Sequence, residues 1–158
     1  IFKTLKTIAV GKTIFLSFVW VYVTTILPLL MNGEVISTAG IFFVAQRFFL
    51  IYAICIIFDY RDKTEDVQEG IKTLITFLPE KGINRLFYGS LAAFLVYTIL
   101  LYFNGFSLLT VVLLVIPGII TLLLYNYSKR NHSDYLYYGV LDGLMMASAL
   151  FTSLPWID

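Results

Sequence analysis

Five of the chain's ten acidic residues, Asp59, Asp62, Glu65, Asp66 and Glu69, fall in the single stretch FDYRDKTEDVQEGIKTL, positions 58 to 74. On a helix Asp59, Asp62 and Asp66 stand at i, i+3 and i+7, within about 60° of one another around the axis. Like charges so placed repel by roughly 0.2–0.5 kcal/mol per pair, so a helix gains nothing from the arrangement on its own. A divalent cation reverses the sign. Mg²⁺ takes oxygen ligands, keeps several waters, and is commonly held by one or two carboxylates while substrate phosphates complete its sphere. The spacing therefore suggests a Mg²⁺-bound diphosphate, with Arg61, Lys63 and Lys72 close by to meet its charge. The plainer alternative is a solvated loop, in which those three cations nearly balance the acids. An EF-hand is excluded, because the alternating oxygen ligands and central glycine of that loop are absent.

The elements that must position these acids are membrane helices. Hydrophobic residues make up 59% of the 158 positions and charged residues 13%, with a mean hydropathy of +0.87, whereas soluble domains carry roughly 25% charged residues. Apolar runs long enough to cross a hydrocarbon core of about 30 Å lie at about 13–31, 35–58, 86–103, 106–127 and 135–156. Breaks fall at Asn32-Gly33-Glu34, at Asn104-Gly105 and at the polar run Ser128 to Asp134. The expected fold is all-α, a polytopic bundle of five transmembrane helices with a cap segment at 59–85 between the second and third. Continuous apolar runs of this length exclude the alternation of a membrane β-barrel.

Cationic loops are retained on the cytoplasmic side. Lys3, Lys6, Lys12, Arg61, Lys63, Lys72, Lys81, Arg85, Lys129 and Arg130 all fall on one face of a five-span topology, and the opposite loops carry no Lys or Arg. Segments 59–85 and 128–134 are thus expected in the cytoplasm, and Trp156-Ile157-Asp158 outside. The single Cys55 cannot form an internal disulfide, and a net charge of +1 points to no nucleic-acid partner. The chain opens on Ile1 rather than Met and shows no cleavable signal pattern, which reads as a piece of a longer protein.

The stretch DYRDKTEDVQEGIKTL resembles the second aspartate-rich motif of the UbiA superfamily of intramembrane prenyltransferases, an Asp-x-x-x-Asp pair followed by a glycine and then Thr-Leu. Here the pair is Asp62 and Asp66, preceded by Asp59 and followed by Gly70, Lys72, Thr73 and Leu74. KTIFLSFVWVYVTTILP and YLYYGVLDGLMMASAL are similar to the family's fifth and ninth helices. The order of two helices, a cap and three helices is that of the C-terminal half of its nine-helix bundle. The resemblance implies transfer of a prenyl group from a prenyl diphosphate to an aromatic or other lipophilic acceptor, within the lipid bilayer and together with an N-terminal half of the same protein. By the motif, Asp62 and Asp66 are the Mg²⁺ ligands and catalytic acids, with Asp59 assisting; charge and proximity add Arg61 and Lys72 as diphosphate contacts. The family's first motif, an Asn with Asp four and eight residues later, does not occur in the chain. It is expected upstream of Ile1, and a catalytically silent relative is the alternative reading. A small-molecule transporter or channel subunit ranks third, because few ionisable residues interrupt the apolar runs.

Two that do are Arg47, about 16 Å of helix from the end of the second span, and Asp142, about 11 Å into the fifth. Charges at such depth are costly and usually paired or functional. These two are expected to pair across helices, the alternative being a place in the wall of a substrate cavity. Tyr125, Tyr127, Tyr135, Tyr137 and Tyr138 are expected in an interfacial aromatic belt. Pro117-Gly118 is expected either to kink the fourth span or to serve packing, and His132 to be solvated.

Overall fold

The computed structural model describes residues 2–31, 37–68, 73–131, 133 and 135–146, with side chains from Gly11 onward except those of Thr64 and Glu65. The expected turn at Asn32-Gly33-Glu34, the residues Glu69, Gly70, Lys72, His132 and Asp134, and the chain from 147 to Asp158 lie outside the described residues.

Helix α1 (Phe2–Val21) continues through a π-helical turn (Tyr22–Ile26) into α2 (Leu27–Met31). The π turn has a local cause. Pro28 has no N–H to give the carbonyl of Thr24, and its ring crowds that carbonyl; the wider turn, closed by Leu27 N–H to the Tyr22 carbonyl, takes up the misfit. Next come α3 (Thr38–Gln68), the single turn α4 (Leu74–Phe77), α5 (Glu80–Phe103) and α6 (Leu108–Ser128). A second π-helical segment, Tyr135–Leu141, leads into helix at 142–146. Every regular element among the described residues is helical.

Four helical spans are long and apolar enough to cross a membrane, Gly11–Met31, Thr38–Lys63, Glu80–Phe103 and Leu108–Ser128. The fifth expected span is described only through 146. The chain is a multi-pass membrane helix bundle. Its outward side chains, Phe15, Phe103 and Leu123 among them, are large and apolar, as contact with lipid tails requires.

Helix α3 is the axis of the bundle. It packs most extensively on α5 and also meets α1, α4 and α6. Every residue from Leu50 to Ile57 is buried, so this stretch is covered on all sides, as a helix apolar all round must be. The 31 residues of α3 span about 46 Å at 1.5 Å each, well beyond a hydrocarbon core of about 30 Å. Its last turns carry the acidic stretch. Hydropathy places the end of this span at 58, yet the helix runs on through Gln68, and α5 begins at Glu80 rather than 86. The hydropathy boundary marks where the apolar run stops, not where the backbone leaves the helix.

Two turns fix the remaining geometry. Gly105 adopts φ +98°, which L side chains disfavour, and reverses the chain between α5 and α6. Ser107 then caps α6 by accepting the Thr110 N–H at 3.1 Å. Further along α6, Gly118 leaves room for the Phe94 ring of α5, and a Cβ at that position would run into the ring. The structure thus gives Pro117-Gly118 a packing role.

Candidate functional site

The acidic stretch is helical, so Asp59, Asp62 and Asp66 project from one face of α3. Asp59 is fastened to α1: its Oδ2 accepts a hydrogen bond from Thr13 Oγ1 at 3.0 Å, and the buried Ser17 hydroxyl donates to the Thr13 carbonyl at 2.7 Å. Asp62 and Asp66 both act electrostatically on Asp59. The Oδ1 of Asp62 accepts from Arg61 Nε at 2.8 Å, and this carboxylate is partly exposed. Asp66 is 7% exposed, and its Oδ2 is buried with no hydrogen-bond partner among the described residues. An isolated buried carboxylate oxygen costs several kcal/mol unless a cation or a donor meets it.

Among the described residues no group of three or more His, Cys, Asp or Glu side chains converges where a metal ion could be held. The acids share a helix face without forming an all-protein cage. Such a donor set suits Mg²⁺, which takes one or two carboxylates and fills its octahedron with water and phosphate oxygens. It does not suit a structural zinc site, which needs four converging ligands.

Arg61 extends toward the last helix. Its guanidinium lies 4.7 Å from the Tyr138 ring centroid, 5.5 Å from that of Tyr137 and 5.9 Å from that of Phe58, while Nε holds Asp62. Cation–π contacts of this kind fix the orientation of a guanidinium. Its Nη1 is buried and makes no hydrogen bond among the described residues. Lys72, the other expected phosphate contact, lies outside the described residues.

Arg47 is fully buried, and its Nη2 donates to Thr24 Oγ1 at 3.2 Å and to the Met145 carbonyl at 2.9 Å. It joins α3 both to the π-helical turn and to the helix that carries Asp142. Gln46 beside it is also fully buried, with neither amide atom hydrogen-bonded among the described residues. Nothing in sequence spacing singles out Gln46.

The tyrosine belt needs correction. Tyr127, Tyr135 and Tyr138 are exposed as expected, but Tyr125 and Tyr137 are fully buried. Both have a partner for the hydroxyl, which is what allows a tyrosine inside. Tyr137 donates to the Ser128 carbonyl at 3.2 Å; Tyr125 donates to Asn84 Oδ1 at 2.6 Å and stacks on Phe87 with centroids 3.7 Å apart. Lys129 completes that second cluster. Its Nζ reaches Asn84 Oδ1 at 3.0 Å and Glu80 Oε1 at 3.2 Å, and sits 4.3 Å from the Tyr125 ring centroid.

The motif's last residues are structural. Leu74 is fully buried in the core, and Thr73 is buried with its N–H bound to Thr76 Oγ1 at 2.8 Å. Thr-Leu thereby anchors α4 under the acidic end of α3.

No curated protein and no solved structure matches the chain significantly. The model of the UbiA prenyltransferase family matches residues 2–148. That match takes in nearly the whole chain, the long α3 with its three aspartates and all four described spans, and the chain belongs to the UbiA prenyltransferase family, whose members work within membranes.

Proposed function

We propose that the protein is an intramembrane prenyltransferase that moves an isoprenyl group from a prenyl diphosphate to an aromatic or other lipophilic acceptor, with Mg²⁺. The observation that carries this reading is the buried Oδ2 of Asp66, which has no hydrogen-bond partner among the described residues, on the helix face shared with Asp62 and Asp59. Asp62 and Asp66 would hold the ion, and Asp59, steadied by Thr13, supports them from the next turn. Family members are generally divalent-metal dependent, and the ion supplies neutralisation of the charge that develops on a departing diphosphate.

The chain's own residues have three tasks. Arg61, oriented by Tyr137 and Tyr138, holds Asp62 and brings a fixed positive charge to the diphosphate. Lys72 is a second cation for the diphosphate. The apolar helices take the prenyl tail and keep water from the allylic carbon. In the transfer the C1–O bond of the donor breaks with its electron pair leaving on the diphosphate, the acceptor bonds to C1, and the acceptor gives up a proton. The acidic end of α3 faces the cytoplasm in this reading, because ten cations lie on that side and none in the opposite loops.

One observation favours a catalytically silent relative: no Asn in the chain is followed by Asp at the fourth and eighth positions. The two readings separate in a transfer assay. Detergent-purified full-length protein, given radiolabelled prenyl diphosphates and a panel of lipophilic acceptors, should form prenylated product with Mg²⁺ and none with EDTA. Absence of product and of released diphosphate under every condition would leave the silent relative.

A further inference from the structure

A transfer of this kind releases a proton from the acceptor, and the apolar helices that shield the allylic carbon keep out the water that would take it. A side chain at membrane depth is then the natural base. Asp142 is a carboxylate at that depth. It opens the helical stretch 142–146, directly after the π-helical segment Tyr135–Leu141, and is half-buried.

Two contacts fix how this segment lies along α3. Tyr137 meets Phe58 with ring centroids 5.4 Å apart, and the Met145 carbonyl accepts from Arg47 at 2.9 Å. The segment therefore runs inward from the acidic end of α3. Asp142 comes five residues after Tyr137, about 7 Å deeper at 1.5 Å per residue. On α3, Cys55 lies one turn inward from Asp59, and at 100° per residue it projects from the face that carries Asp59, Asp62 and Asp66. Asp142 acts electrostatically on Cys55. Its carboxylate thus lies beside the inward continuation of the acidic face, along which a prenyl tail descends from a diphosphate held at Asp62 and Asp66.

This carboxylate is also uncommitted. Asp142 takes part in no hydrogen bond or ion pair among the described residues, and Arg47 reaches its helix at the Met145 carbonyl. Leu141, Leu144 and Met145 are buried and pack into the core, whereas Gly139 and Gly143 put no side chain over the acid. Even a Cβ at Gly143 would meet nothing within 4 Å. An ionised carboxylate offers acceptors alone, and a charge at membrane depth is costly enough that it marks a partner or a function.

We propose that Asp142 is the proton acceptor of the transfer, an inference that rests on the transferase reading above. Its substrate class is an acceptor with a hydroxyl group, a phenol, naphthol or alcohol, which donates a hydrogen bond to the carboxylate. The C1–O bond of the donor breaks with its electron pair leaving on the diphosphate. The hydroxyl oxygen, or the ring carbon conjugated with it, bonds to C1, and the hydroxyl proton passes to an Oδ of Asp142. The neutral acid then returns that proton to water once product has left.

The test uses detergent-purified full-length protein with Mg²⁺, radiolabelled geranyl, farnesyl and geranylgeranyl diphosphates, and a panel of lipophilic phenols, naphthols and alcohols. Asp142→Asn, which keeps the shape, should form product at least about 100-fold more slowly than wild type. Mn²⁺ binding in the presence of prenyl diphosphate should be unchanged in it, because the acids at the end of α3 are intact. Added formate, a small carboxylate that can enter the space vacated in Asp142→Ala, should raise that variant's rate by about tenfold or more and leave wild type unaffected. A merely structural aspartate would give no such rescue. Product formation by Asp142→Asn at the wild-type rate, loss of Mn²⁺ binding in Asp142→Asn, or no response of Asp142→Ala to formate would overturn the proposal while leaving the transferase reading in place. No product from wild type with any donor and acceptor would overturn that reading, and this proposal with it.

Discussion

Replacing Asp66 by Asn separates a cation site from a structural carboxylate, because the two make opposite predictions for stability. Asp66 is 7% exposed, and its Oδ2 is buried without a partner among the described residues. Asparagine keeps the shape and removes the charge. An unsatisfied buried group costs about 1–3 kcal/mol, and more when charged; relief of repulsion with Asp62, one helical turn away, adds roughly 0.2–0.5 kcal/mol. Against this stands the new amide N–H₂, itself short of an acceptor. The balance is a gain of about 1–2 kcal/mol, which for a domain of this size corresponds to a rise of roughly 2–8 °C in Tm. The assay is thermal unfolding in detergent with EDTA. With Mg²⁺ and a prenyl diphosphate the order should reverse, since wild type gains about 2.7 kcal/mol when ligand stands at a hundred times its Kd. A variant that melts at or below wild type in EDTA would refute the reasoning, because Asp66 would then be held by contacts of its own.

Three further outcomes follow from the same geometry. Arg47→Ala should destabilise by about 3 kcal/mol, since it strands the Met145 carbonyl and opens a cavity in the core; denaturant or thermal unfolding checks it, and Thr24→Val should cost only about 1 kcal/mol. Gly118→Ala should cost roughly 1–3 kcal/mol by forcing Phe94 aside, and Phe94→Leu in the same chain should recover much of the loss. For topology, a thiol reagent in intact cells should modify Asn104→Cys and reach Arg130→Cys only after permeabilisation. The single native Cys55 is buried and contributes little background.

The sequence carries the fold class and the acidic site on separate signals. Apolar runs identify the spans, and the three-and-four spacing of Asp59, Asp62 and Asp66 identifies a shared face once a helix is granted. What hydropathy cannot show is that α3 continues through Gln68, because a polar helix end and a polar loop have the same composition. The burial of Tyr125 and Tyr137 was hidden for a similar reason. A tyrosine near a span's end suits the interface and the interior equally, and what decides is whether the hydroxyl finds Asn84 or the Ser128 carbonyl. Lys129 meets Glu80 and Asn84 from 49 and 45 positions away, contacts that only the packing of α5 on α6 creates. One contact of Arg47 is a main-chain carbonyl, to which residue type gives no pointer.

The central claim is that Asp62 and Asp66 hold a divalent cation against a prenyl diphosphate. Electron paramagnetic resonance of Mn²⁺, standing in for Mg²⁺, reads that directly in detergent-purified full-length protein. Wild type should bind Mn²⁺ tightly only when prenyl diphosphate is present, and Asp62→Asn and Asp66→Asn should each weaken that binding by about 10–100-fold or more, given that loss of even an outer-shell partner costs as much. Equal Mn²⁺ binding in all three proteins, or none in wild type with the diphosphate present, would contradict the claim.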